Sequence, residues 1–355
     1  MSLVARLLTR MVLIRFGVIL FGLSAFVLTL EVVSFLTDIL HIANNPLLSV
    51  LTYGAFRLPG IISLFLPTSL LLALLMTMTE LSYRNELTAI WATGISPTRL
   101  IIKLLPLALL VGTFHFVVMD QGVPRAAPYL RSWGIGDYAT RKFNTATNDP
   151  VWIRSGPDIM RAEKISDDGG TLFKLIIFRR ENAGQLQSEV FADSASQKDG
   201  NWLLNNVTTY YATGEEPSHI AHLVYQGPIT LASNKLASPE EMSLHELSTF
   251  IANKGYGVRP SFVYETWWHK RLTPLLIALV MLTLCVPLGT YFRRGGGLGM
   301  IFLVGVGLGF IYFVVDGVAM TLGEQGSIAP WMAAWGPIMM FGAMAVALLS
   351  RTDHV

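Results

Sequence analysis

The sequence predicts an α-helical membrane protein with six transmembrane helices and an inserted all-β domain. Apolar residues make up 52% of the 355 residues and charged residues only 14%, whereas an ordinary soluble domain has about 25% charged residues. Long apolar runs flank a central segment in which short apolar stretches alternate with turn residues. This combination is typical of membrane helices interrupted by one soluble domain.

Composition and charge exclude several classes of protein. The net charge is +2, and no basic run is interleaved with aromatic residues, so a nucleic-acid partner is not expected. The single cysteine, Cys285, excludes an internal disulfide and a multi-cysteine zinc site. The N-terminal arginines resemble those of a signal peptide, but the apolar stretch continues for about 20 residues without a small-residue cleavage site, which predicts an uncleaved first span.

The transmembrane helices are predicted from the length of the apolar runs. About 20 helical residues cross a hydrocarbon core of about 30 Å. The runs that approach or reach this length are 12–36, 58–79, 99–119, 271–292, 298–320 and 329–350. The predicted domains are therefore helices one to three in 1–120, the β domain in 121–262, and helices four to six in 263–355.

The distribution of lysine and arginine predicts the orientation. Basic residues lie before the first run, around the loop after the second, after the fourth and after the sixth: Arg6, Arg10, Arg15, Arg84, Arg99, Lys103, Arg293, Arg294 and Arg351. The opposite short loops hold Asp38, His41, Arg57 and Glu324. By the positive-inside rule, both termini are expected in the cytoplasm and the β domain outside.

The β domain is predicted from short alternating segments separated by turn signals. These segments are 151–155, 171–179, 186–195 and 202–211, and Gly-Pro, Asp-Gly and Asn-Ala-Gly sequences stand between them. They favour an antiparallel sandwich or open barrel. A return helix near 243–254 follows, with Ser243 and Glu246 as a capping box and Gly255 as its stop.

Motifs for catalysis and for metals or nucleotides are missing from the sequence. There is no G-x-x-x-x-G-K-[ST] and no G-x-S-x-G, and Gly295 to Gly297 are interpreted as a turn. His245-Glu246 begins like a zinc motif, but Thr249 replaces the second histidine. His219 and His222 are interpreted as a surface pair in a strand or turn. We therefore predict no catalytic residue, no metal and no cofactor in this chain.

Acidic residues in or near the spans are Glu31, Asp120 and Asp316. A charge in lipid is costly, so such residues usually face a cavity or a partner helix. Asp316 lies about 18 residues into the fifth run, which by helical rise is near the outer boundary. It is the intramembrane acidic candidate, with solvation at the interface and a functional role as equal alternatives.

The polar insert from Glu80 to Arg99 separates the second and third runs and is the part best placed to meet a soluble partner. Apolar residues recur in it at helical spacing, a glutamate precedes them and a glycine follows. It is either a surface helix against the headgroups or a coupling helix near 84–96 that docks on a cytoplasmic ATPase. The coupling candidates are Arg84, Glu86, Leu87, Ile90, Trp91 and Gly94.

With those residues identified, the chain resembles the lipopolysaccharide-export ABC permease family of the LptF/LptG type, and is closer to the LptG-type subunit. The segment that carries the resemblance is Ser82 to Ser96, with Glu86-Leu87, Ala92, Gly94 and Ser96. Nearly the whole chain contributes in order: LFLPTSLLLALLMTM, VWIRSG, IIFRRENAGQLQS, MSLHELSTFI and YFVVDG. In the family, this segment is the coupling helix, and its glutamate is the main polar contact with the ATPase.

The resemblance implies a periplasmic β-jellyroll, an LptF-type permease as heterodimer partner, an LptB-type ATPase dimer that binds ATP and Mg, and LptC/LptA-type jellyroll partners. It implies extraction of lipopolysaccharide from the inner membrane and delivery to a periplasmic bridge. We expect a lateral gate formed by the first and fifth spans. Its apolar cavity would be lined by Phe26, Phe35, Phe302, Phe310 and Phe313.

Phosphate recognition is expected to depart from the family pattern. G-type members can carry lysines near the outer end of the first span, but this chain has Glu31, Ser34, Asp38 and His41 there. Recognition would then come from Arg57, Arg125, Arg131 or the partner permease.

Two other classes of function stay open at this stage. The first alternative to a permease is a mechanotransmission subunit that moves a periplasmic partner without passing lipid. The second is an intramembrane enzyme, which needs two polar groups facing each other at one depth.

Overall fold

The computed structural model describes residues 3–138, 151–155, 157–166, 170–181, 185–198, 201–225, 238–252, 260–291 and 298–352. The helices are α1 Leu3–Ser34, α2 Leu36–Leu40, α3 Pro46–Tyr83, α4 Glu86–Ala92, α5 Pro97–Val117, α6 Val123–Trp133, α7 Leu244–Ala252, α8 Ser261–Leu272, α9 Pro274–Tyr291, α10 Leu298–Glu324 and α11 Pro330–Thr352. The chain divides into two compact units, 1–139 with 266–355, and 140–265.

The helical unit confirms the predicted class of fold. Within the described residues, five helices are long and apolar enough to cross a membrane, and a sixth span results if the bent pair α8 and α9 is one span. The fourth run, predicted at 271–292, corresponds to α9, and the chain bends by 52° between α8 and α9, at Leu272 to Pro274. Proline lacks the N–H that would continue the hydrogen-bond ladder, so a break is expected there.

The second helix begins 12 residues earlier than its apolar run. Asn45 caps α3 by accepting a hydrogen bond from the Leu47 amide at 3.0 Å, and Pro46 occupies the first turn. The prediction that Arg57 lies in an outer loop is therefore wrong, because Arg57 is inside α3. The helix tolerates this cation because a carboxylate from α1 pairs with it.

The third helix also extends beyond its apolar run. After α5, a π-helical turn at Val118–Gly122 leads directly into α6, so that helical structure runs from Pro97 to Trp133. The end expected at residue 119 is wrong. Asp120 lies in the π-helical turn and is buried, at 7% exposure.

Helix α3 is the centre of the helical unit. It contacts α1, α9 and α10, and its side chains from Leu66 to Leu81 supply much of the main apolar core. Glycines allow the neighbours to approach closely: a Cβ at Gly309 would lie 2.8 Å from Thr68 Cγ2, and one at Gly289 would collide with Met78 Cβ. Small residues at such contacts are the usual means by which membrane helices pack.

The β unit contains one antiparallel sheet among the described residues. Its strands, β1 Val151–Ser155, β2 Asp158–Ile165, β3 Thr171–Arg180, β4 Leu186–Lys198, β5 Asn201–Tyr211 and β6 Ser218–Tyr225, pair in sequence order. Four of these strands are confirmed from the sequence analysis, and β2 and β6 were not predicted. His219 and His222 lie in β6 and contact Thr208 and Asn205 of β5, as expected for a surface pair.

A row of polar residues crosses the sheet from β2 to β5: Glu163, Lys174, Asp193 and Asn206. Lys174 and Asn206 have positive φ, 49° and 53°. Lys174 pairs with Glu163 at 2.9 Å, and Asn206 donates to Asp193 at 2.6 Å.

At this polar row, the spacing between inward residues along a strand changes from two to three. The pairs that show the change are Leu172 and Leu175, Ala192 and Ala195, and Leu204 and Val207. Strands β3, β4 and β5 thus shift phase at the same row, so their inward faces contribute to one apolar cluster without a change of register.

The return helix is confirmed as α7. Glu246 accepts from the Ser243 amide at 2.7 Å, and the Glu246 amide donates to Ser243 Oγ at 3.3 Å, which completes the capping box. The expected stop at Gly255 and the turn at Gly295 to Gly297 lie outside the described residues.

Candidate functional site

The loop between α3 and α5 contains a helix of seven residues, α4, shorter than the predicted 84–96. Asn85 at its N-terminus and Gly94 after its C-terminus both have positive φ, 57° and 81°. Such residues reverse the chain on each side of the helix. Ser96 then caps α5 by accepting from the Arg99 amide at 3.3 Å. Short turns at both ends hold α4 in one position against the bundle.

The two faces of α4 have different environments. Leu87 is 1% exposed, and Trp91 and Ile95 pack against the same core as α3. Glu86 and Ala89 are exposed on the other side. The coupling candidates therefore fall into two groups. Leu87 and Trp91 pack the helix against its own chain, and Glu86 is available to a partner. Ile90 is partly buried, and Gly94 is exposed.

Glu80 connects the end of α3 to α1. It accepts from Arg15 of α1 and from Arg84 at 2.7 Å, and Arg15 also donates to Thr77 at 3.2 Å. Arg84, two residues before α4, is thus an ion-pair partner of Glu80. Glu80 was not predicted as a site residue, although it opens the polar insert, because its partner Arg15 is 65 residues away in the sequence.

At the opposite end of α3, an ion pair links α3 to α1. Arg57 donates to Glu31 at 2.6 Å, Tyr53 donates to the same oxygen at 2.7 Å, and the Arg57 guanidinium lies 5.7 Å from the centre of the Tyr138 ring. The Arg57 side chain is 19% exposed. Glu31 thus neutralises the basic residue that was a candidate for binding phosphate.

The other two basic candidates lie on α6, which packs against α3. Arg125 is exposed and donates to the Gln121 carbonyl at 2.9 Å within its own helix. Arg131 is partly buried. Phe56 stacks on Tyr129 at 4.4 Å and meets Trp133 edge-on, so an aromatic cluster fixes α6 and with it the two arginines.

The aromatic candidates do not share one environment. Phe26, Phe310 and Phe313 are exposed by 62%, 65% and 54% on the outward faces of α1 and α10. Phe35 instead packs into the cluster around Ile39 and Tyr53. The side chain of Phe302 lies outside the described residues. The apolar surface is therefore carried by α1 and α10, each buried over only 22% of its most apolar stretch.

Asp316 is paired rather than solvated. Lys270 of α8 donates to it at 2.5 Å, and the two side chains are 13% and 18% exposed. Nearby, Trp267 donates to Glu324 at 2.5 Å, and Trp335 donates to His269 at 3.3 Å. Arg271, which is fully buried, donates to the Met119 carbonyl in the π-helical turn. Sequence reasoning did not identify these residues of α8, because they precede the apolar run or, in the case of Arg271, begin it.

The structure brings together one polar pair of the kind an intramembrane enzyme needs. Ser63 Oγ lies 3.3 Å from His115 Nε2, and His115 is 5% exposed. A serine nucleophile also needs a group that orients the imidazole through its other nitrogen. Among the described residues, His115 Nδ1 has no hydrogen-bond partner. The pair is therefore best explained as a polar contact between α3 and α5.

Two comparisons with known proteins found similar sequences. Residues 6–351 match the family model described as lipopolysaccharide export system permease LptF/LptG. The chain is also 23% identical over 239 residues to the lipopolysaccharide export system permease protein LptG of Haemophilus influenzae. That match covers 65% of this chain and 66% of the relative, just under two thirds of its length.

Proposed function

Because the family match spans nearly the whole chain, this protein belongs to the lipopolysaccharide export permease family LptF/LptG, and we propose that it is the LptG-type subunit of an ATP-driven lipopolysaccharide extractor. It is an integral inner-membrane protein and a non-catalytic transporter subunit. In the proposal, both termini are cytoplasmic and the β unit is periplasmic. The complex would contain an LptF-type permease, an LptB-type ATPase dimer, and LptC/LptA-type jellyroll proteins that form the periplasmic bridge.

The observation that carries the proposal is the two-faced helix α4. Its apolar side is packed into the bundle at Leu87, while Glu86 is exposed on the other side. A carboxylate on a helix that cannot slide against its own chain is suited to receive force from a soluble partner. ATP-driven closure of the ATPase would move α4 and the end of α3 together.

A route from α4 to the proposed gate is available through Glu80. Arg84 and Arg15 meet at this carboxylate, and Arg15 belongs to α1, one of the two helices of the proposed gate. The other gate helix, α10, packs on α3 through Gly305 and Gly309. Movement of α3 would therefore reach both outward apolar faces, where the acyl chains of the lipid and the partner permease are expected.

The charges near the outer end of the helices favour two of the three arginines as phosphate ligands. Arg57 is neutralised by Glu31, so transfer of Arg57 to a lipid phosphate would leave that carboxylate without its cation. Arg125 is exposed, and Arg131 is on the same helix. We propose that Arg125 and Arg131 meet the phosphates and that Arg57 stabilises the contact of α1 with α3.

The β unit is proposed to receive the acyl chains from the membrane unit and to align with similar folds of the bridge. The inward residues of its sheet are apolar, including Met160, Ile177 and Val190. An apolar interior suits acyl chains because their transfer out of water is favourable.

A mechanotransmission subunit is the second candidate, since the same α4 geometry would serve it. Photo-crosslinking from Phe310 on α10 distinguishes the two functions. Lipopolysaccharide should be captured there during ATP turnover if the chain passes lipid, and should not be captured if the chain only transmits movement.

The substitution Glu86→Ala tests the coupling function. We expect the variant complex to lose most of the co-purifying ATPase, or to hydrolyse ATP without exporting lipopolysaccharide. Thr93→Ala is the matched control, because Thr93 is exposed near the other end of α4 and its hydroxyl bonds only the Ile90 carbonyl, at 2.6 Å. Unchanged co-purification and unchanged export in Glu86→Ala would contradict the coupling assignment. The isolated chain should show no ATPase activity.

A further inference from the structure

The outer half of α10 is held by polar contacts with α8. Lys270 Nζ lies 2.5 Å from Asp316 Oδ1, and Trp267 Nε1 lies 2.5 Å from Glu324 Oε1. The chain directions are opposed, since the earlier residue of α8 meets the later residue of α10. Asp316 and Glu324 are eight residues apart, which is about 12 Å along a helix.

Two such contacts restrict α10 more than apolar packing does. Further along α10, towards its N-terminus, the contact with α3 is made by glycines against Leu72, Leu75 and Thr68. Contacts of this kind are close enough to carry movement of α3 to α10, but they lack the directional bonds that fix the rotation of a helix. Hydrogen bonds at two points 12 Å apart specify both the rotation and the tilt of the helix.

The pair is also costly to separate. A charged group in the hydrocarbon region is unfavourable by several kcal/mol, and such groups are normally paired there. Lys270 and Asp316 are both mostly buried. If α10 moved away from α8, each would keep its charge without its partner, so the low-energy movement is one in which α8 and α10 move together.

Helix α8 is also anchored to a further element, through Arg271. Arg271 is fully buried and donates to the Met119 carbonyl, which the π-helical turn between α5 and α6 presents. The 52° bend before Pro274 separates α8 from the direction of α9. Helix α8 is therefore a short, independently oriented element that bonds both α10 and the π-helical turn.

We propose that Lys270 and Asp316 are positioning residues for transport: they fasten α10 to α8, so that the proposed gate helix opens only as part of a joint movement of both. This proposal rests on the proposed function. It deepens that function by assigning to α8 the control of the gate. With its apolar contacts alone, α10 would not be tied to α8, and it could open without the joint movement.

The test uses the complete complex in proteoliposomes, with lipopolysaccharide released per ATP hydrolysed as the readout. Asp316→Asn and Lys270→Met should each lower this ratio by about fivefold or more, the lower end of typical coupling between two sites, with ATPase activity within about twofold of the native complex. Asp316→Glu should retain most of the ratio, and the exchange Lys270→Asp with Asp316→Lys should recover part of it. Thr321→Val is the matched control, since the Thr321 hydroxyl donates to the Gly317 carbonyl of its own helix, at 2.9 Å.

A native ratio in Asp316→Asn would overturn the proposal. So would equal losses of ATPase activity and lipid release that follow the loss of folded complex, because that pattern reports a purely structural pair. The unfolding temperatures of Asp316→Asn, Lys270→Met and the double variant give an independent measurement. Additive shifts would overturn the pair itself, whereas non-additive shifts support it. Absence of any ATP-dependent lipid release by the native complex would instead contradict the proposed function.

Discussion

Helices α3 and α10 have nearly the same hydropathy and very different surroundings. The most apolar stretches of α3 and α10 have a mean hydropathy of 2.2 and 2.0. The stretch in α3 is 67% buried, whereas the stretch in α10 is only 22% buried. Hydropathy reports that a segment can cross a membrane. It does not report whether the segment is the centre of a bundle or its edge, because lipid and protein interior are similarly apolar. What separates the two helices is which of their faces meets another helix.

Helix α1 belongs with α10 in this comparison. It is also buried over 22% of its most apolar stretch, and it also packs on α3. The outward faces of both carry large side chains, Phe21 and Phe26 on α1 and Phe310 and Phe313 on α10. A central helix flanked by two mostly exposed helices is suited to a permease whose partner and lipid complete the bundle.

The largest expected effect is at a glycine that faces α3. In Gly289→Leu, the new side chain would collide with Met78, whose Cβ belongs to the rigid part of α3. Overpacking costs typically about 1–3 kcal/mol and at times more, and we expect the upper part of that range. Gly307→Leu on α10 is the control, since nothing lies within 4 Å of a Cβ there. Thermal unfolding of the purified protein measures both, and equal unfolding temperatures would contradict the packing of α9 on α3.

A smaller effect is expected from opposite faces of α4. Leu87→Ala should destabilise the protein by about 2 kcal/mol, the low end of the usual cost of truncating a buried leucine. Ala89→Arg should leave the unfolding temperature unchanged, because Ala89 is exposed, but should weaken ATPase binding. Denaturation and co-purification separate the two outcomes. Loss of ATPase binding in Leu87→Ala at a temperature where the variant is fully folded would argue that Leu87 contacts the partner directly.

The smallest effect is expected on the outward face of the sheet. The hydrogen bond from Lys174, at 2.9 Å, lowers the pKa of the Glu163 carboxyl below its usual value. A lowered pKa contributes stability above the pKa of the unfolded state, and this contribution is lost as pH falls through the folded-state pKa. In Lys174→Met, the pKa of Glu163 should rise toward its ordinary value while the unfolding temperature at pH 7 changes little. Selectively labelled glutamate carboxyl NMR measures this, and an unchanged pKa would contradict the pair.

Several elements could be predicted because their signals are local. The Ser243 and Glu246 cap of α7 needs only residues three positions apart, and both hydrogen bonds are present. Strands β3, β4 and β5 were identified from alternation between turns. Strand β2 was not predicted, although it contains Met160 and Ala162 on the inward face, because four of its eight residues, Asp158, Arg161, Glu163 and Lys164, are charged.

The polar row of the sheet had a signal in the sequence that was not used. Inward residues that change from a spacing of two to a spacing of three, as in Leu204 and Val207, indicate a strand that shifts phase. A shift in one strand is ambiguous, but the same shift in β3, β4 and β5 is informative because the strands are paired. Comparison of the strands with one another, rather than each with an ideal pattern, would have predicted the row.

The sequence by itself determined that the chain is a membrane protein with an inserted β domain. It also determined the positions of most helices and strands along the chain, and that the polar insert contains a short helix with Glu86 near its start. Each of these depends on residues close together in the chain. The tertiary structure decided which residues of that helix face outward, that Glu80 joins Arg15 to Arg84, and that Asp316 is paired with Lys270. Arg15 and Glu80, like Lys270 and Asp316, come from separate helices, and only packing brings their charges within a few ångströms, where pairing offsets the cost of burial.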